Sequence, residues 1–225
     1  MKNLNLKAWM ALAALAVVMA VLIFGSAGTT SYWQGWAYLA IFFTAGAVMT
    51  LYLIKRDPAL LERRMSGGPT AEKRPIQKFI MWWTSLAFIA MLVVPALDYR
   101  FRGGSLPTAV SVAGDLLVAI GFSFIFFVYR ENTFTSATIE VAANQKVIST
   151  GPYAIVRHPM YASASLYVFG TPLALGSLWG FVPVGVMIPF LIWRMFDEER
   201  FLAQNLPGYV DYQQRVPHRL IPFLW

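Results

Sequence analysis

Long apolar runs separated by short polar stretches set the pattern of this chain. Four of them occupy residues 8–24, 33–54, 79–97 and 110–129. A helix of about 20 residues crosses roughly 30 Å of hydrocarbon while keeping every backbone N–H and C=O bonded within itself. The runs lack the apolar–polar alternation of strands or of a porin-like barrel, so each predicts a membrane-spanning helix. Two further apolar stretches, 160–175 and 178–193, are separated only by Gly176 and Ser177 and predict a tight helical hairpin. Both are short for a span. Pro172, Pro183 and Pro189 interrupt them, which a membrane helix tolerates where neighbours or a cavity satisfy the freed backbone groups. The expected fold is all-α, a polytopic integral membrane protein of about six hydrophobic segments ending in a short C-terminal helical hairpin.

Composition agrees. Of 225 residues, 58% are hydrophobic and 13% charged, and the mean hydropathy is +0.56, outside the range of soluble domains. Lys2 and Lys7 ahead of the first run, which ends near Gly25-Ser26-Ala27, give it the look of a secretion signal; its length and the spans that follow favour a retained helix. With six crossings, all 18 Lys and Arg residues except Arg100 and Arg102 share one side. That imbalance predicts that both termini are cytoplasmic. A basic face against anionic headgroups also accounts for the net charge of +7, so membrane lipids are the expected partners and no nucleic acid is needed. There is no cysteine, which removes disulfides, thiolate metal sites and cysteine nucleophiles. His158 and His218 by themselves make no convincing zinc site, and no metal is expected.

The loop 55–78, with Ser66-Gly67-Gly68-Pro69 between charged flanks, reads as a solvated connector lying on the headgroups. The chemistry concentrates after residue 130. Ser149-Thr150-Gly151-Pro152-Tyr153 is a turn, and Arg157-His158-Pro159-Met160-Tyr161 leads into the hairpin. Pro159 suits the first turn of a helix and drives His158 towards an extended conformation, which puts Arg157 and His158 just ahead of a helix N-terminus. A guanidinium beside free N–H groups suits a carboxylate. The plainer alternative is that Arg157 anchors to lipid phosphate and His158 caps the helix. At the hairpin's other foot Asp197, Glu198 and Glu199 are consecutive at the expected end of a span, where the helix dipole disfavours negative charge. Arg194 and Arg200 offer internal pairing; a cationic or hydroxyl-rich ligand is the other explanation. The hairpin should bring its two feet together.

These residues, taken in order, resemble a family. Gly151-Pro152-Tyr153, then Arg157-His158-Pro159-Met160-Tyr161, a helical hairpin, Glu198-Glu199, Tyr209, Tyr212 and Arg215-Val216 are similar to the C-terminal half of the isoprenylcysteine carboxyl methyltransferase family, itself related to membrane phospholipid N-methyltransferases. The resemblance covers about residues 131–217; the first four spans match only as hydrophobic helices. It departs at Ser163, where the family often has glycine, though a small residue is kept for close packing. It implies a four-span membrane region over 1–130 and a cofactor-binding catalytic region over 131–225. It further implies an S-adenosylmethionine-dependent methyltransferase whose acceptor is a lipid or lipidated small molecule from the bilayer. Carried over by position, Gly151, Tyr153, His158, Tyr161, Glu198 and Glu199 are the cofactor-site residues, with Arg157 and Glu198 at the reaction centre. A carboxylate acceptor needs no general base, whereas an amine must lose a proton, for which His158, Glu198 or Glu199 is available. Phospholipid or other lipid-amine methylation is therefore the first alternative. A nicotinamide-dependent sterol-reductase-like enzyme and a small transporter are the others, the last opposed by the scarcity of mid-span ionisable residues apart from Asp115. Oligomeric state and the identity of the acceptor are not encoded legibly.

Overall fold

A computed structural model of the chain describes residues 2–104, 106–142 and 144–225. The side chain of Lys2, counted above among the basic residues, lies outside the described set. Among the described residues the chain forms α1 (Lys2–Ala27), α2 (Trp33–Arg56), α3 (Pro58–Met65), α4 (Pro75–Arg102), α5 (Thr108–Glu131), α6 (Pro159–Ala174), α7 (Phe181–Asn205) and α8 (Tyr209–Arg215), with 3-10 turns at Gly151–Ala154 and Leu178–Gly180 and no strand. Five helical segments, α1, α2, α4, α5 and Leu178–Asn205, are long and apolar enough to cross a membrane. The polytopic all-α expectation is borne out.

Local chemistry sets the boundaries. Pro58 begins α3, and Asp57 caps it by accepting from the Leu60 N–H at 2.9 Å. Pro75 begins α4, which stops at Gly103, a left-handed residue whose N–H bonds Tyr99 O at 2.8 Å. Pro159 begins α6. At 16 residues α6 rises about 24 Å. Its far end is held by the Tyr32 hydroxyl, which donates to Leu175 O.

Two expectations need correction. The prolines do not break the last two helices: α6 continues through Pro172 and α7 through Pro189, while Pro183 falls in the first turn of α7. Helix α7 also runs on to Asn205, so the acidic triplet lies inside a helix rather than at its end. Nor is the loop 55–78 a solvated connector. It contains α3, whose Leu60 and Leu61 are buried against Ala8 and Leu53, and it contributes buried Glu72 and Gln77.

Although α6 and α7 are joined by a tight turn, they pack less on each other than on earlier helices, α6 on α5 and α7 on α4. Glycines permit the first contact. A Cβ on Gly114 would lie 2.2 Å from Ala174 N, and one on Gly121 would lie 2.8 Å from Tyr167 N and 3.0 Å from Ser163 O. The helices therefore meet backbone to backbone, as small residues allow between membrane helices. Ser163 is buried there and donates to Pro159 O at 2.6 Å, the close packing expected of a small residue. Gly114→Ala should force α5 and α6 apart and cost about 1–3 kcal/mol, read as a lower melting temperature in detergent. A variant melting with the wild type would show that the two backbones are not in contact.

Candidate functional site

The site forms where the start of α6 meets the second half of α7. His158, at φ −120° and ψ 60°, is extended as Pro159 requires. The backbone ahead of α6 pairs with the segment after α8: Arg157 N–H donates to His218 O and His158 N–H to Arg219 O, both at 2.9 Å. The Arg157 guanidinium donates through Nε to Glu199 Oε1 at 2.8 Å, and through Nη1 to Val216 O and Pro217 O, each at 2.9 Å. Glu199 is held further by His158 Nε2 at 3.1 Å from Oε1 and by Arg219 Nε at 3.1 Å from Oε2. The side chains of Arg157, His158 and Glu199 are 6%, 4% and 7% exposed. Arg157 is thus too enclosed for a headgroup anchor, and the His158 side chain does not cap α6. The carboxylate that suits the Arg157 corner is the chain's own Glu199.

The neighbouring acids turn elsewhere, because consecutive helical residues point about 100° apart. Asp197 takes a two-pronged bond from Arg74 at 2.7 Å for each oxygen, with Gln77 donating to the same carboxylate. Arg194 pairs with Glu72 at 2.7 Å and donates to Gln77 Oε1 at 2.6 Å and Ala137 O at 3.0 Å. Its ion pair is therefore with Glu72, 122 residues away in sequence (194 − 72), rather than with Glu198. Glu198 is half-buried and accepts from the Tyr161 hydroxyl at 2.8 Å. Among the described residues that neutral phenol is its hydrogen-bond donor. Of the triplet, Glu198 is the carboxylate left with unused capacity.

Tyrosines cover this corner. Tyr209 and Tyr212 of α8 are buried with Leu206 and Val216, and Tyr153 packs against them. The Tyr212 hydroxyl donates to Tyr153 O at 2.8 Å. Burial pushes the Tyr212 phenol up to about 12. It also raises Tyr153 and Tyr209 well above the usual phenol range, and the negative field of Glu198 adds to both shifts. All three stay neutral, offering ring faces and hydroxyls beside a carboxylate. Gly151 sits apart from the Arg157–Glu199 contacts. At φ +55° it packs on Glu131 at the end of α5, where a Cβ would come within 2.8 Å of the carboxylate carbon, and Thr150 Oγ1 donates to the same carboxylate.

Of the residues singled out from sequence, Arg157, His158, Glu199, Glu198 and Tyr161 converge, Tyr153 lines the adjoining tyrosine cluster, and Gly151 positions its loop. Sequence reasoning missed Arg219, Glu72, Arg74 and Gln77. The first lies beyond the motif, and the others lie in a stretch whose polarity reads as solvation.

This arrangement defines a polytopic helical membrane protein with a dense charged site where the start of α6 meets the second half of α7. Residues 109–207 match the phospholipid methyltransferase family model. The chain is also 26% identical over 150 residues to protein-S-isoprenylcysteine O-methyltransferase B of Arabidopsis thaliana, covering 64% of this chain and 61% of that protein. It is 30% identical over 127 residues to protein-S-isoprenylcysteine O-methyltransferase of Rattus norvegicus, covering 52% and 43%, and 25% identical over 107 residues to the cobalt-zinc-cadmium resistance protein CzcN of Cupriavidus metallidurans, covering 45% and 48%. The match thus reaches across 43% to 61% of these relatives' lengths. These similarities bear out the resemblance to the isoprenylcysteine carboxyl methyltransferase family.

Proposed function

We propose that this protein is an integral membrane methyltransferase that uses S-adenosylmethionine and modifies a lipidic or prenylated acceptor drawn from the bilayer. The observation that carries the reading is Glu198, a half-buried carboxylate with one neutral donor, held beside Tyr161 by the Arg157–Glu199 knot. The donor set suits the cofactor. A sulfonium and an ammonium group call for negative charge and aromatic faces, and ribose hydroxyls call for an acceptor. Glu198 would supply charge and acceptor, Tyr161, Tyr153 and Tyr209 the ring faces, and Gly151 would set the loop that carries Tyr153. S-Adenosylmethionine supplies, when bound, an electrophilic methyl group. Arg157, Glu199 and His158 act as positioning residues, because their polar atoms are committed to one another.

Both termini and the site face the cytoplasm in this reading, on the strength of the charge imbalance. An amine acceptor is a second reading, favoured by the same observation: a carboxylate whose hydrogen-bond donor among the described residues is a neutral phenol is suited to take the proton that an attacking amine must lose. Calorimetric titration of detergent-purified protein should show binding of S-adenosylmethionine and of its demethylated product, with no binding of NADPH. Labelled methyl transfer to prenylated thioether acids against aminophospholipids then separates the acceptors. Failure to bind either form of the cofactor would overturn the proposal.

A further inference from the structure

Towards the opposite end of the helices, three buried side chains present oxygens that the protein itself does not satisfy. Gln34 on α2 is 8% exposed, and Ser111 and Asp115 on α5 are 0% and 6% exposed. Gln34 Oε1, Ser111 Oγ and Asp115 Oδ1 have no hydrogen-bond partner in the chain. Polar groups around them do have partners: Ser177 Oγ donates to Asp98 Oδ2 at 2.7 Å, and Thr171 Oγ1 bonds the Tyr38 hydroxyl at 3.2 Å. Burying an unmade hydrogen bond is unfavourable, and burying an unpaired carboxylate is more so.

The three lie near one another. A Cβ on Gly176, in the turn between α6 and α7, would lie 3.2 Å from Gln34 Nε2 and 3.4 Å from Ser111 Oγ, so both side chains reach over the same glycine. The lack of a side chain at Gly176, whose φ is +71°, leaves room for the ends of both. Asp115 follows Ser111 by four residues and shares its face one turn deeper. It lies within electrostatic reach of Tyr38, which follows Gln34 by four residues on α2. The Gln34 amide and the Ser111 hydroxyl therefore share one interhelical space bounded by α2, α5 and the end of α6, and Asp115 lies one turn along α5 on the Ser111 face.

All three are oxygens, and one belongs to a carboxylate with no Lys or Arg ion pair among the described residues. Hard cations take such ligands. A calcium-like ion asks for six to eight oxygens, usually with several carboxylates, whereas one carboxylate with two neutral oxygens balances a single positive charge. A water molecule would serve the hydrogen bonds but leave that charge in place. We propose that Gln34, Ser111 and Asp115 bind a monovalent cation of the sodium class, which ties α2 and α5 to the α6–α7 turn. The site is separate from Glu198 and does not depend on the methyltransferase reading.

The test is thermal melting of the full chain in detergent, followed by tryptophan fluorescence. Sodium chloride is raised from about 1 to about 150 mM against N-methyl-D-glucamine chloride at constant ionic strength. Sodium should raise the melting temperature saturably by several degrees, and Asp115→Asn and Ser111→Ala should abolish the rise while leaving S-adenosylmethionine binding as it was. Identical melting in the two salts would overturn the proposal and leave a water or a protonated Asp115 in the space. If Asp115→Asn does not fold, radiolabelled sodium binding to the wild-type protein decides: saturable uptake of one ion per chain supports the site, and its absence overturns it.

Discussion

Arg157→Ala is expected to lower stability by about 1–3 kcal/mol, because Glu199 loses one of its two guanidinium partners and the Val216 and Pro217 carbonyls lose a buried donor. The guanidinium ties three parts of the site together. It extends from the segment just ahead of α6, bonds Glu199 on α7, and collects the Val216 and Pro217 carbonyls of the segment beyond α8. Without it Glu199 keeps His158 and Arg219, while two carbonyls lose their donor. Arg157→Lys should recover only part of the loss. A lysine restores the charge, but one ammonium on a flexible stem does not reproduce a planar fork that donates towards Glu199 and the carbonyls at once. Melting curves give the stabilities, and limited proteolysis after Arg215 reports release of the last segment. An Arg157→Ala protein that melts with the wild type and resists cleavage there would show that the knot is not what holds this corner.

The parts legible in sequence are those with local causes. Apolar run length gives the spans, because a helix in lipid must satisfy its own backbone. Pro159 gives the start of α6 and the extended His158, since both follow from one ring. That the feet of the last two segments meet also followed from the shortness of the turn at Gly176 and Ser177. The end of α7 was illegible for a physical reason. The apolar run stops at Trp193, yet Arg194, Met195, Asp197 and Glu199 are buried, because partners from distant segments replace lipid as their surroundings. Arg74 and Gln77 satisfy Asp197 and Glu72 satisfies Arg194. No periodicity in either segment announces those pairings, and a charged loop reads as solvated until its partner is known. The split of the acidic triplet into two structural carboxylates and one with spare capacity was hidden for the same reason.

Glu198→Gln and Glu199→Gln should separate those roles. Glu198 accepts from Tyr161 alone among the described residues and is half-buried, so the amide should leave the fold intact. If Glu198 accepts hydrogen bonds from the cofactor or offsets its positive charge, losing one charge-assisted bond costs about 1.5–3 kcal/mol, roughly tenfold to a hundredfold in affinity for S-adenosylmethionine. Glu199 is different. Its carboxylate meets Arg157, His158 and Arg219 together, and the amide leaves two guanidiniums without their negative partner, so Glu199→Gln should lower the melting temperature first and weaken binding only as a consequence. Calorimetric titration beside thermal melting distinguishes the two: Glu198→Gln weak in binding with a normal melt, Glu199→Gln with a depressed melt. The demethylated product, which lacks the sulfonium charge, should lose less affinity than S-adenosylmethionine in Glu198→Gln if charge neutralisation dominates, and an equal amount if hydrogen bonding does. Wild-type affinity in both variants would reduce the acidic pair to a structural feature of α7 and remove the observation on which the cofactor site rests.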